Sequence, residues 1–357
     1  MQVPKKILFV LPLTSRGGVE AITRLYTKQL QQRGYKIKIA LLAPPLNMEY
    51  LQGLDYHIMT ESTYEPGLKN ISHNFFDALF KLRNLLLDFK PDFIICTCFR
   101  AFISAKLTLA SINLRSHILV WEHSTLTNLR KYKLKLYGLA DGFIAISNTI
   151  RKQALANIPL ANHQIHLLYN GLEKPDHSIH LAEKATFLYV GRLQKGQQKA
   201  TDDFLRCLAL VKGDWSSIII GDGDDRQALI DLAIELGIGD RINWLGWQSK
   251  PWDAVKEASV LVLSSRYEGF PLVLIEALLR GVPCISSDCP TGPNEIIADS
   301  LNGWLYPLGD TSALAAQMQK FVYNPQPFSQ KAIQASVADF SIDSAINQLE
   351  KILSSYD

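Results

Sequence analysis

Two glutamates eight positions apart, Glu268 and Glu276, frame the stretch Tyr-Glu-Gly-Phe-Pro-Leu-Val-Leu-Ile-Glu at 267–276. The stretch follows an apolar run that ends at Ser264-Ser265 and precedes Gly281. Pro271 suits the first turn of a helix, where its missing N–H costs nothing, and Gly281 suits the helix end. A strand, a glycine-containing turn and a helix N-terminus together make an anion site, because free amides and the positive end of the helix dipole converge there. Two carboxylates flanking such a site suit a hydroxyl-rich ligand. One can accept hydrogen bonds from a ribose and the other from a sugar ring. The plainer alternative is an ordinary helix start with two solvated glutamates. Glu276 argues against it, being embedded among Ile275, Ala277, Leu278 and Leu279.

The Glu-x7-Glu spacing, with Gly-Phe-Pro directly after the first glutamate, resembles the donor site of glycosyltransferase family 4. That resemblance implies the GT-B fold and transfer with retained anomeric configuration. It implies that Glu268 contacts the transferred sugar and Glu276 the ribose, with Gly269, Phe270 and Leu272 completing the donor-binding set. A second match is Val-Gly-Arg-Leu at 190–193. Family members carry an arginine here and a lysine a few positions on, and both offset the donor diphosphate. A nucleoside diphosphate leaves poorly unless its growing negative charge is neutralised. Arg192 supplies a guanidinium fork and a lysine supplies a point charge. Two lysines are available. Lys199 is favoured, because Gly-Gln-x-Lys at 196–199 resembles a galactosyltransferase subgroup of the family, and Lys195 is the alternative.

Arg16-Gly17-Gly18 follows the first apolar run. Glycines there let backbone approach a phosphate or sugar at the start of the next helix. In the family this loop touches the donor, which assigns Gly17 and Gly18 to the site. Trp121-Glu122-His123 ends another apolar run, at the kind of strand end where ligands bind in parallel sheets. The family places a histidine near here against the transferred sugar, which assigns His123. The alternative is a core-edge histidine bonded to backbone. Gly221-Asp222-Gly223-Asp224 resembles the family's turn beside the nucleotide or is a plain turn. Trp247 and Gln248 lie against the base or on a surface loop.

These residues need a scaffold. Apolar runs at 7–13, 37–42, 93–97, 118–122, 143–147 and 166–169 predict strands in the front half. Those at 187–192, 217–221, 242–245, 260–263, 283–287 and 304–306 predict strands in the back half. Amphipathic stretches such as 19–33, 75–89 and 226–236 alternate with them. That alternation is the signature of βαβ units and a parallel sheet. The expected fold is α/β, with two tandem Rossmann-like doubly wound domains facing across a cleft. An acceptor-side domain is expected over 1–177 and a donor domain over 178–340. A terminal helix over 341–357 is expected to pack back on the first domain.

Composition narrows the partners. The chain has 357 residues, 47% of them hydrophobic, enough for two globular domains. Residues 1–177 carry 22 Lys+Arg against 12 Asp+Glu, whereas the remainder is acidic. A basic front half suits an anionic acceptor or an anionic membrane face. The mixed run of Arg130, Lys131, Lys133 and Lys135 with Leu134, Leu136 and Tyr137 fits a membrane surface or a solvated helix face equally. No apolar stretch reaches the roughly 18 residues needed to span a bilayer, and nucleic acid is not an expected partner. Five cysteines, with no Cys-x-x-Cys pair and no histidine cluster, point to reduced thiols and no metal. Expected, then, is a cytoplasmic enzyme, peripheral on the inner membrane face. It would use a UDP-sugar as substrate, no cofactor and no metal, and a saccharide or glycolipid acceptor. The resemblance implies a hexose, galactose in the first instance, and an acceptor such as lipopolysaccharide core or a surface polysaccharide. A UDP-sugar 2-epimerase of the same fold, or a non-catalytic nucleotide-sugar-binding protein, are the alternatives.

Overall fold

The computed structural model describes residues 5–12, 18–45, 48, 51–60 and 71–357, with main chain only at 71–74 and 128. It divides into two compact units. The first contains β1 (Lys6–Leu11), α1 (Gly18–Gln32), β2 (Lys36–Leu41), β3 (Tyr56–Ile58), α2 (Ile71–Phe89), β4 (Phe93–Cys96) and α3 (Phe99–Ala110). It continues through β5 (His117–Glu122), α4 (Lys131–Tyr137), β6 (Gly142–Ala145), α5 (Asn148–Asn157) and β7 (Ile165–Leu167). Its seven strands form one sheet in the order β3-β2-β1-β4-β5-β6-β7, parallel throughout. Strands covered on both faces read as unbroken apolar runs, and Ile7 to Leu11 are accordingly buried without alternation.

The second unit runs through β8 (His180–Leu181), β9 (Ala185–Val190), α6 (Thr201–Leu210), β10 (Trp215–Ile220), α7 (Arg226–Glu235), β11 (Ile242–Gly246), β12 (Glu257–Ala258) and β13 (Val260–Leu263). It ends with α8 (Leu272–Leu279), β14 (Cys284–Ser287), α9 (Pro293–Ile296), β15 (Gly303–Tyr306), α10 (Thr311–Tyr323) and α11 (Gln330–Ala335). The main sheet, ordered β11-β10-β9-β13-β14-β15, is also parallel, and β8 pairs with β12 apart from it. Both large sheets reverse direction of growth beside their first strand, the arrangement of a Rossmann-like doubly wound domain.

The last helix, α12 (Ile342–Ser354), belongs to the first unit. Ile342, Ala345, Ile346, Leu349, Ile352 and Leu353 form its buried face. Arg33, just past α1, donates to Asn347 and Glu350, each at 2.6 Å. The Tyr356 hydroxyl meets His166 Nε2 at 2.8 Å. It lies so close over Gly142 that a Cβ there would collide with it.

The domain boundary differs from the expected one. The chain leaves the first unit after Gly171 rather than after 177. Leu172 is already tied into the second unit by its bridge to Ser341 and by its N–H donating to the Phe340 carbonyl at 2.9 Å. The strands β3, β8 and β12 were not expected from the sequence, being only two or three residues long. Pro271 caps α8 rather than occupying its first turn.

Candidate functional site

In the second unit the sheet reverses between β9 and β13, so the loops after these strands leave it side by side. Ligands bind outside the strand ends at such a reversal. The loop after β9 carries Arg192, Lys195 and Lys199. The loop after β13 carries Glu268, Gly269 and Phe270.

The two loops are laced together. Ser264 Oγ donates to the carbonyls of Lys199 at 3.0 Å and Ala200 at 2.9 Å, and Arg266 N–H donates to Gln198 O at 2.8 Å. Within the first loop, Gly196 N–H donates to Asp202 Oδ1 at 2.8 Å and Thr201 N–H to Gln194 O at 2.8 Å. Ala200, fully buried at φ +43°, turns the chain into α6. Lys199 Nζ then reaches Glu268 Oε1 at 2.7 Å. Glu268 is 6% exposed, and its carbonyl accepts from the Thr291 hydroxyl of the 288–292 loop. The structure thus joins two residues 69 positions apart in the sequence.

Arg192 is exposed, and among the described residues its guanidinium has no ion-pair partner. Its turn is held from behind. Gly191 N–H donates to Ile220 O and Leu193 N–H to Asp222 O, both at 3.0 Å. A Cβ on Gly221, whose φ is +141°, would strike the Gly191 carbonyl. One on Gly223 would strike that of Leu193. The Gly-x-Gly turn is therefore a seat for the arginine's loop. Lys195 is exposed, and its N–H donates to Asp225 Oδ2 at 2.9 Å.

Gly269 and Phe270 lead into α8, and Leu272 opens it. Phe270 is buried, with its ring 5.6 Å from that of Phe340. Glu276, on α8, is half-buried, and burial raises its carboxyl pKa against the opposing pull of the Trp252 N–H and Arg280. Gln248 is exposed and donates to Leu245 O at 2.8 Å, and Trp247 is 39% exposed. The tryptophan that meets Glu276 is Trp252, at 3.1 Å. The sequence reading gave it no role in the site. Its signal was the Pro251-Trp252 pair, which starts a short helical turn with the ring inside.

In the first unit, Gly18 opens α1 and is exposed, while Gly17 lies outside the described residues. His123 follows β5 directly. Its ring centre is 4.5 Å from that of Trp121, and its Nε2 is buried with no hydrogen-bond partner among the described residues. Burial pushes its pKa down to about 3, so the ring is neutral at physiological pH. The neighbouring Glu122 is occupied, accepting from Tyr137 at 2.6 Å and Ser124 at 2.7 Å. Among the described residues no three His, Cys, Asp or Glu side chains gather as metal ligands, and no helix is long and apolar enough to cross a membrane.

Comparison with known proteins adds three findings. Residues 16–174 match the family described as Glycosyltransferase Family 4, and residues 173–337 match Glycosyl transferases group 1. The sequence is 31% identical to the lipopolysaccharide 1,6-galactosyltransferase of Escherichia coli K12, over 98% of both chains. The same identity extends over 80% of this chain and 82% of the Salmonella typhimurium LT2 enzyme of that name. Among solved structures, the apo form of the lipopolysaccharide outer core galactosyltransferase WaaB has a TM-score of 0.84 at 27% identity, covering 99% of this chain and 100% of that one.

Proposed function

The chain belongs to glycosyltransferase family 4, and on that premise we propose that it moves a hexose, galactose in the first instance, from a UDP-sugar with retained configuration. The proposed acceptor is a glycan or glycolipid such as lipopolysaccharide core, following the galactosyltransferases it resembles. The observation that carries the chemistry is the buried Glu268 held by Lys199 at the sheet reversal, with Arg192 on the same loop as that lysine.

In this reading Glu268 accepts from the hydroxyls of the transferred sugar and Glu276 from the ribose. Arg192, Lys199 and the N-terminal amides of α8 offset the charge that grows on the departing diphosphate. The family resemblance adds His123, Gly17 and Gly18 to the residues that serve the donor. The acceptor hydroxyl attacks on the face from which the phosphate leaves. Its oxygen bonds to the anomeric carbon as the carbon–phosphate oxygen bond breaks, and the leaving phosphate takes the proton. No metal or cofactor has a part in this scheme. The basic front half suits work on the cytoplasmic membrane face, against an anionic acceptor.

Thermal unfolding in EDTA with UDP, GDP, ADP, NAD and UDP-sugars tests the donor. A ligand at a hundred times its Kd adds about 2.7 kcal/mol. The expected result is a raised midpoint with UDP and one UDP-hexose. A rise with NAD, or none with UDP, overturns the reading. Dependence of transfer on a divalent cation removes the metal-free part alone.

A further inference from the structure

Glu276 is set by a part of the second unit far from it in sequence. After β11 the chain makes one short helical turn, Pro251–Ala254, that buries Trp252. The indole N–H donates to Glu276 Oε2 at 3.1 Å. Arg280, the residue that caps the C-terminal end of α8, lies over the same ring with its guanidinium carbon 4.9 Å from the ring centre. Its Nη1 donates to the Glu276 carbonyl at 2.9 Å. Glu276 Oε1 has no hydrogen-bond partner among the described residues.

An indole offers one donor, no acceptor and a direction fixed by its ring. A ring that is 5% exposed and clamped by a guanidinium cannot swing that donor elsewhere. A carboxylate so engaged loses the rotation about its last bond that would otherwise present either oxygen. Hydroxyl recognition gains from this, because a preorganised acceptor has less freedom to lose on binding.

We infer that Trp252 is a positioning residue for the nucleotide: by donating to Oε2 it holds the Glu276 carboxylate in one orientation, leaving Oε1 to accept from a ribose hydroxyl. The inference rests on the proposal that Glu276 meets the donor ribose. It makes Trp252 a determinant of ribose recognition that never touches the ligand.

The test compares Kd values for UDP and 2′,3′-dideoxy-UDP, which lacks both ribose hydroxyls, in the full chain and in Trp252→Phe, Glu276→Ala and the double variant. Hydrogen bonds to charged groups and the tenfold-per-1.4 kcal/mol rule give the scale. Trp252→Phe is expected to raise the UDP Kd about tenfold and that of 2′,3′-dideoxy-UDP less than about threefold. The kcat at saturating donor should fall less than the rise in KM. In the Glu276→Ala background the tryptophan change is expected to add nothing. Equal weakening of both nucleotides by Trp252→Phe, or an undiminished effect without Glu276, overturns the inference. If Glu276→Ala keeps full preference for UDP, the donor-site reading falls with it. If Glu276→Ala loses the preference and Trp252→Phe retains it, the inference alone falls. Should Trp252→Phe not fold, indole ¹⁵N spectra of the intact chain decide. One resonance should be displaced both by Glu276→Gln and by UDP, and no displacement by Glu276→Gln refutes the contact.

Discussion

Lys199→Met should cost more stability than a surface lysine can, and neutralising its partner as well should restore most of it. Lys199 Nζ lies 2.7 Å from Glu268 Oε1, with the side chains 21% and 8% exposed. At an effective dielectric constant of about 20, two unit charges at that distance attract by about 6 kcal/mol before desolvation is subtracted. Removing one member of a buried pair costs about 3–5 kcal/mol, because the survivor stays charged and unpaired. The partial exposure of Lys199 places the expected loss near about 3 kcal/mol. In a unit spanning 172–341, that corresponds to a fall in Tm of roughly 6–12 °C. The double variant Lys199→Met with Glu268→Gln leaves no buried charge and should return to within about 1 kcal/mol of the parent. Activity should not return: both single variants and the double should lose at least about a hundredfold in kcat/KM. Urea unfolding with the slope m checked for constancy gives the stabilities, and transfer from UDP-galactose gives the rates. An unchanged midpoint for Lys199→Met, or a double variant no better than the summed singles, refutes the reasoning.

Gly221→Ala should destabilise by roughly 2–3 kcal/mol, from a Cβ at φ +141° that meets the Gly191 carbonyl. Its KM for donor should also rise, since the displaced loop carries Arg192; a normal KM at reduced stability would break that link. Stability should also depend on pH through His123. Its folded pKa of about 3 lies below the unfolded value near 6.5, so the unfolded chain binds more protons between those limits. Stability is full above pH 6.5 and falls on acidification, by about 1 kcal/mol from pH 6 to pH 5. His123→Gln should flatten that slope in denaturant midpoints, and an unaltered slope would place the burden on other groups.

Much of the frame was legible because strands in a doubly covered parallel sheet show themselves as short apolar runs. Every such run noted in the sequence, from 7–13 to 304–306, overlaps an observed strand. The strands β3, β8 and β12 escaped because two or three residues carry no periodicity. The glutamates could be found because the loop that holds Glu268 runs directly into the helix that holds Glu276. The Lys199–Glu268 pair could not be derived from local pattern, since it depends on which strands become neighbours at the sheet reversal. Trp247 drew attention over Trp252 because it sits next to Gly246, at the end of a predicted strand. What distinguishes them is burial, and that follows from Pro251 starting a turn inward. The positive φ of Ala200 likewise leaves no trace in a residue type that normally avoids it.

The assignment of α12 to the first unit bears on how the chain is made. The second unit has all its residues once Ser341 has been synthesised, whereas the first still lacks the helix that covers α1 and the Tyr356 ring that fills the space over Gly142. The first unit is therefore closed by residues that follow the whole of the second in sequence. Removing α12 alone would thus damage the unit built from residues 1–171, by uncovering the surface that Ile346, Leu349 and Ile352 bury.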